Sequence, residues 1–548
     1  MRRKTGFKIF IIAGISIIGV SLIAVLIAMA WVIIFANNYD AVYSRKVILD
    51  TSAGLTAQQR TEDFSQLCEH LEAYVPTLYE YEKLYGISYD ETKSYYSTLA
   101  ANAENDFEYC TVIRGFLNNI PSAHMAVGFP SLSKIDEYFS ARLSKNKSFV
   151  NAQDYWLDVY HNECRKYYDK EITQLVFAYY SGKYRGVAEP IDNDIYGVNK
   201  ATLLTVNGVS ADEFVKLTPS VYKLKYDHSN LRPFRDTIIF NDSIGEECTI
   251  EYLDADGEKH SARMYYGAEA DTVIAYRDYF MSIDGAAADT ISTTDSEQAS
   301  YTTIGDMTAE KSEEHNLLYV CINSFESETA DGMVMANSLK SISEETDNII
   351  IDIRKNRGGY YDYAKAVIGA LSDSDIEFYS EVYITEASYN KFKEERTYVF
   401  DESTGLYKTI INESVKGTAA EKKNIYLLVS DQTGSSADNF AYEFKKNNLG
   451  TVIGTNNTGG ERNGTMCLDY LDISGIYFAY TRYAAMNSDG TFSSVTGTSP
   501  DIYLGQPIEA YFIRVRLEAE GKDINNLENR LEWDSVLIET VKMIEEKS

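Results

Sequence analysis

The stretch NIIIDIRKNRGG, residues 348–359, indicates the fold of the C-terminal half of this chain. Its first part, 348–353, is a nearly continuous run of β-branched residues, which is typical of a strand covered on both faces. Ile425–Val429 and Thr451–Ile453 are similar runs, and helical stretches lie between the three. Strands that alternate with helices predict an α/β domain with a mostly parallel sheet.

The composition indicates an acidic and mostly globular protein. The chain has 548 residues, of which 45% are hydrophobic and 24% charged, and this length predicts about three or four structural units. The net charge of −31 repels phosphate backbones, so nucleic acid is not a predicted partner. The six cysteines lie far apart without a CxxC pair, which predicts no metal site and leaves buried thiols or one or two disulfides open.

The N-terminus predicts a membrane anchor. Residues 9–39 carry no charge and are mostly apolar up to Ala36, and they follow four basic residues, Arg2, Arg3, Lys4 and Lys8. As a helix, 9–35 would span about 40 Å, which exceeds the roughly 30 Å of a bilayer core. The basic flank places residues 1–8 in the cytoplasm, so we expect a transmembrane helix over 9–36 and an extracytoplasmic remainder.

The part after the predicted anchor divides into four regions. A helical region over 40–169 carries an amphipathic stripe closed by Pro76. Region 170–267 has short strands and an Asp256-Gly257 hairpin signal. Region 268–315 is predicted to be a connector because residues 278–310 lack Lys and Arg and are rich in Ala, Ser, Thr and Asp. Region 316–548 is the α/β domain.

Three features offer chemistry. Gly358-Gly359 follows a buried strand, where backbone N–H groups can bind an anion, although such pairs are also common in plain turns. Ser435 lies on a strand-to-helix turn, which suits a nucleophile but equally a helix N-cap. His124 follows a helical stretch and offers an imidazole base, and the alternative is a structural histidine.

Together these motifs resemble the C-terminal processing, or tail-specific, protease family of serine peptidases. NIIIDIRKNRGG is similar to the family's strand and oxyanion glycines, and LVSDQTGSSADNFAYEF (428–444) to its nucleophile turn and helix. GTVIGTNNTGG (450–460) and GTSPDIYL (497–504) resemble the segments that follow. The resemblance implies a crotonase-like β/α core and, for 170–267, a divergent PDZ-like module.

The resemblance also implies site roles. Ser435 takes the place of the nucleophile, with Ser436 as the competing position, and Gly358, Gly359 and Ser436 supply the oxyanion N–H groups. Relatives with a Ser–Lys dyad carry a lysine where this chain has Gly460. LNNIPSAHMAV (117–127) instead is similar to the tricorn-like branch, which implies that His124 is the base. No cofactor is implied, and the expected substrates are extended or unstructured polypeptides.

Two departures leave alternatives open. The tricorn-like branch has a serine before its histidine, where this chain has Ala123, and a glutamate near the position of Ser494. Glu461 and Asp489 are possible substitutes for that acid, which stays unassigned. The leading prediction is a membrane-anchored, extracytoplasmic serine endopeptidase acting through an acyl-enzyme. The alternative is a catalytically inactive relative that serves as an anchored peptide-binding module.

Overall fold

The computed structural model describes most of the chain. The described residues are 43–127, 143–168, 170–187, 199–286, 301–304, 306–326, 332–344, 346–392, 397–464 and 466–547. The predicted cytoplasmic tail 1–8 and transmembrane helix 9–36 lie outside them. Among the described helices, none combines the length and apolar character needed to cross a membrane.

The chain divides into two compact units. Of the described residues, the smaller comprises those in 43–55, 143–158 and 469–477, and the larger comprises all the others. In the described part of the smaller unit, a small apolar core includes Phe149 and Tyr477. The Trp156 indole N–H donates to the Ser474 carbonyl at 2.9 Å.

The helical region after residue 56 agrees with its sequence pattern. The helices are Ala57–Tyr74, Glu80–Tyr85, Tyr89–Asn102, Asp106–Asn118 and Lys147–Arg165. Thr56 and Gln59 form a capping box at the start of the first, which ends two residues before Pro76. The predicted stripe is buried, namely Phe64, Leu67, Cys68 and Leu71. The strand Ala126–Val127 pairs antiparallel with Tyr477–Thr481, Ala126 opposite Ala479.

Residues 174–266 form a seven-stranded sheet. Its order is Lys183–Gly186, Gln174–Tyr180, Thr237–Asn241, Lys259–Tyr266, Glu246–Leu253, Thr202–Val206 and Val209–Ser210, and its first strand also pairs with Thr202–Val206. The predicted hairpin at Asp256-Gly257 and the helix Ala211–Leu217 are present. Lys225–Asp227 and Arg232–Phe234 form a separate ribbon. The PDZ-like description of this region stays a prediction.

The α/β domain is built on a second seven-stranded sheet. Its order is Tyr301–Ile304, Met307–Ser312, Leu317–Ile322, Asn348–Asp352, Asn424–Val429, Thr451–Gly454 and Ile502–Tyr503. The first three strands are antiparallel, and from Leu317–Ile322 onward neighbours are parallel. We call it the core sheet. The predicted α/β class is confirmed, with an antiparallel edge on a parallel sheet.

Helices cover both faces of the core sheet. Gly332–Ser343, Tyr361–Leu371 and Ser436–Lys446 pack on one face, with Ile349 and Ile351 among the buried residues there. Ser535–Glu545 packs on the other, with Ile350. Successive side chains of a strand point to opposite faces. Because helices cover both faces, the side chains on both are apolar, and the apolar run 349–351 is therefore continuous.

The remaining elements complete the larger unit. A four-stranded sheet has the order Val399–Asp401, Leu406–Val415, Ile376–Ile384 and Ala484–Ala485. Met466–Tyr470 is an outer strand of a separate three-stranded sheet. The other helices are Glu386–Phe392, Ser493–Thr496, Ile508–Ala519 and Leu527–Trp533. Asp534 caps the last described helix, Ser535–Glu545.

The region predicted to be a connector has regular structure at both ends. Ala268–Ala286 is a helix, in which Ala270, Val273 and Ile274 are buried. Met307–Ser312 is a strand of the core sheet. Composition alone missed these elements because a low content of Lys and Arg is equally a property of buried segments.

Candidate active site

Ser435 occupies a strained turn at the start of the helix Ser436–Lys446, which we call the nucleophile helix. Its φ of 56° and ψ of −121° are unusual for a residue with a side chain. Such strain persists only where the surroundings hold it, and it is typical of functional sites. Here the Ser435 N–H donates to the Gly460 carbonyl at 2.8 Å, and the Gly434 N–H to the Asn356 carbonyl at 3.1 Å.

The hydroxyls of Ser435 and Ser436 have different environments. Ser435 makes no side-chain capping bond, so its hydroxyl is not used as an N-cap. The Ser436 hydroxyl donates to the Gly359 carbonyl, and Ser436 is only 8% exposed. The hydroxyl of Ser436 is therefore engaged in holding the glycine loop, which favours Ser435 as the reactive residue.

Gly358 and Gly359 pack directly against this turn. Both have positive φ values, 110° and 127°, and a Cβ on Gly358 would lie 2.7 Å from the Ser435 Cβ. The Gly358 N–H already donates to the Asn356 side chain at 2.9 Å. The Gly359 N–H has no acceptor among the described residues. Ser436 is the first residue of its helix, where an N–H lacks an intrahelical acceptor.

A buried ion-pair network supports the loop that precedes the glycines. The Arg354 guanidinium lies 2.6 Å from Asp352 Oδ2 and donates to Asp534 Oδ1 at 2.8 Å. Burial acts to raise the pKa of Asp352, but the neighbouring positive charge, chiefly that of Arg354, holds this pKa well below its usual range. The Arg354 carbonyl accepts the Ser430 hydroxyl at 2.5 Å, so the network also contacts the nucleophile loop.

His124 lies beside Glu461, one of the two acids that the sequence left open. His124 Nδ1 is 3.8 Å from Glu461 Oε2, and the Glu461 side chain is fully buried. This distance is longer than a hydrogen bond, and neither atom has another partner among the described residues. The other Glu461 oxygen accepts the Ser122 hydroxyl. Asp489, the second candidate, instead accepts the N–H of Thr491 in an exposed turn at 3.0 Å.

Burial shifts the pKa values of the groups around His124. It raises the pKa of Glu461 to about 7, against hydrogen bonding from Ser122 and the positive charge of Lys223. Burial, with Lys223 as a second cause, lowers the pKa of His124 to about 4. The imidazole is therefore neutral near pH 7, as a general base has to be.

The segment Gly460-Glu461 contacts both candidate catalytic residues, Ser435 through its backbone and His124 through its side chain. The Gly460 carbonyl accepts the Ser435 N–H, and the next residue carries the carboxylate that faces His124. Gly460 has a φ of 76°, and a Cβ there would lie 2.1 Å from the Ser493 carbonyl oxygen. A lysine side chain therefore does not fit at this position.

The buried carboxylate of Asp438 fixes the loop that ends in Gly460. Asp438 Oδ1 accepts the hydroxyls of Thr458 and Thr498, the latter at 2.6 Å, and Oδ2 accepts the Ser493 hydroxyl at 2.7 Å. Since Asp438 lies one turn beyond Ser435 on the nucleophile helix, it ties the Gly460 loop and the segment at Thr498 to the same helix. Asp438 lies within the motif 428–444, but its role is visible only in the folded chain, where the hydroxyls of Thr458, Ser493 and Thr498 meet it.

The structure thus brings most of the predicted site residues together. Gly358, Gly359, Ser435 and Ser436 are in contact with one another, and the Gly460-Glu461 segment connects Ser435 with His124. Ser494, near the position where the related branch has its glutamate, donates its hydroxyl to Thr77 at 3.3 Å.

Comparisons with known proteins agree with this architecture. Residues 316–504 match the model for peptidase family S41, the family of C-terminal processing proteases. A comparison with curated proteins found no match.

Among solved structures, mature CPAF complexed with lactacystin is 14% identical, with a TM-score of 0.50 over 89% of this chain and 98% of that one. Mature CPAF alone is 16% identical, with a TM-score of 0.47 over 83% and 94%. The photosystem II D1 C-terminal processing protease is 14% identical, with a TM-score of 0.33 over 82% and 95%. The fold is accordingly a mixed α/β fold similar to that of mature CPAF.

Proposed function

We propose that this chain is a serine endopeptidase that cleaves extended or unstructured polypeptides through an acyl-enzyme. The S41 match over 316–504 supports a serine peptidase as the class. The observation that carries the proposal is the strained Ser435 turn, hydrogen-bonded to a segment whose next residue faces His124. A histidine base, as in the tricorn-like branch, is part of the proposal because Gly460 has no room for a lysine.

The proposed reaction uses the site residues in order. With Nδ1 facing Glu461, the imidazole of His124 has Nε2 left to take the proton from Ser435 Oγ as that oxygen attacks the scissile carbonyl. Glu461 stabilises the imidazolium that forms, and His124 then gives the proton to the leaving amine. Water, deprotonated by His124, hydrolyses the ester and restores the Ser435 hydroxyl.

The oxyanion is assigned to backbone N–H groups around the turn. The N–H groups of Gly359 and Ser436 have no acceptor among the described residues, and a donor of this kind contributes about 3 kcal/mol in studied enzymes. Gly358 belongs to the same loop, but its N–H is bound to Asn356, so its role is to let the loop approach Ser435.

Labelling with a fluorophosphonate probe tests the proposal. The matched pair Ser435→Ala and Ser436→Ala removes one hydroxyl each from neighbouring positions. We expect Ser435→Ala to abolish labelling and hydrolysis of an unfolded protein substrate, with the melting temperature retained. Ser436→Ala should keep labelling at a reduced rate, because it loses only the bond to the Gly359 carbonyl. Labelling that survives Ser435→Ala would refute the nucleophile, and a wild-type chain without labelling would indicate the inactive relative.

Membrane anchoring through 9–36, with the peptidase outside the cytoplasm, is the second part of the proposal. It rests on the length and basic flank of the apolar run. Protease added to intact cells should remove the chain beyond about residue 40, because that part would be exposed. Full protection of the C-terminus in cells whose wall has been removed would contradict this topology.

A further inference from the structure

Lys223 reaches the turn that carries His124 from a distant part of the chain. It lies between the helix Ala211–Leu217 and the strand Lys225–Asp227, in the region of the antiparallel sheet. Its ammonium donates to the Ser122 carbonyl at 2.5 Å and also to the Met125 carbonyl.

The two carbonyls belong to the same tight turn. The Met125 N–H donates to the Ser122 carbonyl at 3.2 Å, so residues 122–125 close on themselves with His124 inside. Lys223 bonds to the carbonyls on both sides of the histidine. Since hydrogen bonds from a charged donor are stronger than neutral ones, the ammonium restricts the turn on both sides of the imidazole.

The segment that carries Lys223 is itself held against the helix that leads to His124. The Leu224 N–H donates to the Asn118 carbonyl at 2.7 Å, and the Asn118 side chain donates to the Val221 carbonyl at 2.8 Å. Lys223 is therefore not an exposed side chain in chance contact with the turn, because its own backbone is fixed on both sides.

The charge of Lys223 affects the protonation of Glu461 and His124. Burial lowers the pKa of Lys223 to about 7. The carboxylate of Glu461 acts to raise this pKa, and the positive charges of Lys225 and Arg235 act to lower it further. Lys223 in turn favours the ionised form of Glu461, whose pKa the carboxylate of Asp438 raises further. The ammonium also disfavours a proton on the resting His124.

We propose that Lys223 is a positioning residue of the active site: its ammonium, bonded to the Ser122 and Met125 carbonyls, holds the 122–125 turn and therefore His124 in place. This inference rests on the proposed function. It adds a fourth side chain to the site, contributed by a region outside the α/β domain.

The test compares Lys223→Met, Lys223→Arg and the control Lys216→Met, and it measures the rate constant of fluorophosphonate labelling against pH. Lys216 is a half-exposed lysine nearby whose ammonium, within the described part of the chain, pairs with Glu213 at 2.6 Å. Lys223→Met should label about 100-fold more slowly, as expected for a misplaced catalytic group, whereas Lys216→Met should match the wild type.

The pH profile separates positioning from a merely structural role. The wild-type rate should decline as pH rises above about 7 and Lys223 loses its proton. Lys223→Arg stays charged, so it should retain part of the rate and its alkaline decline should move to higher pH. The acid limb of Lys223→Met should move to higher pH, because without the ammonium the Glu461 carboxylate is protonated more readily.

Several outcomes would overturn the inference. It fails if Lys223→Met labels like Lys216→Met, or if the wild-type rate shows no alkaline decline. It also fails if Lys223→Met and Lys223→Arg lose rate and melting temperature equally with an unchanged pH profile. If Lys223→Met does not fold, the inference is tested by the pH profiles of the wild type and Lys223→Arg, and it fails if their alkaline declines coincide. The proposed function fails separately, through labelling that survives Ser435→Ala.

Discussion

Replacing Gly358 by alanine tests whether the glycine loop has to approach the Ser435 turn without a side chain. The new Cβ would lie 2.7 Å from the Ser435 Cβ, 2.9 Å from the Gly434 carbonyl oxygen and 3.0 Å from the Ser436 nitrogen. Carbon atoms in contact normally lie about 3.5–4.0 Å apart, so the loop or Ser435 must move by nearly 1 Å.

Gly257 provides the matched control for this substitution. It also has a positive φ, 85°, but no atom lies within 4 Å of a Cβ built there. Gly257→Ala should therefore lower the free energy of unfolding by only the backbone term of about 1–2 kcal/mol. Gly358→Ala adds overpacking of about 1–3 kcal/mol, for a total of about 2–5 kcal/mol.

Thermal unfolding and fluorophosphonate labelling measure the two effects separately. Gly257→Ala should label at the wild-type rate, whereas Gly358→Ala should label on the order of 100-fold more slowly, since Ser435 is displaced. Equal stability losses in the two variants would refute the packing argument. Wild-type labelling of Gly358→Ala would show that Ser435 does not depend on this contact.

Three further outcomes are expected. His124→Ala should lower kcat on the order of 1000-fold if the imidazole and Ser435 act as a unit, and near-full turnover would place the base elsewhere. The pKa of Glu461 is about 7 in the folded chain and 4.5 for an ordinary glutamate. Between pH 4.5 and 7 the folded state therefore binds more protons than the unfolded state, and the free energy of unfolding falls as pH rises. The gain in the free energy of unfolding from Glu461→Gln should therefore grow across that range, up to about 3 kcal/mol in urea titrations, and a pH-independent difference would contradict this. Asp534→Ala should lower the free energy of unfolding by about 3–5 kcal/mol in the same assay, because it leaves the buried Arg354 with one partner fewer. The control Asp212→Ala breaks a half-exposed ion pair and should lower it by under about 1 kcal/mol.

The sequence predicted the elements whose pattern is local. The strands around 348–353, 425–429 and 451–453 form within a residue or two of the expected positions. Their hydrophobic pattern and turn residues are contained in each segment. The helix and the strand at the two ends of the predicted connector 268–315 gave no such local signal, because their burial depends on distant segments.

In the candidate site as well, residues in local motifs could be predicted and residues brought together only by folding could not. Ser435 and the glycines lie in contiguous motifs, so a resemblance could propose them as candidates. Glu461 remained one of two candidate acids, because only the folded chain brings it to His124. Lys223 was missed, since a lysine in an unremarkable stretch gives no local signal of the carbonyls that it binds.

The ion pair between Arg354 and Asp534 joins residues 180 positions apart in the chain. Arg354 begins the loop that ends in Gly358 and Gly359, and Asp534 caps the last described helix. During synthesis, the glycine loop cannot acquire its full support until the chain has been extended to Asp534. The synthesis of Ser435 therefore precedes the completion of the loop beside it, and a chain released before Asp534 would lack this support for Gly358 and Gly359.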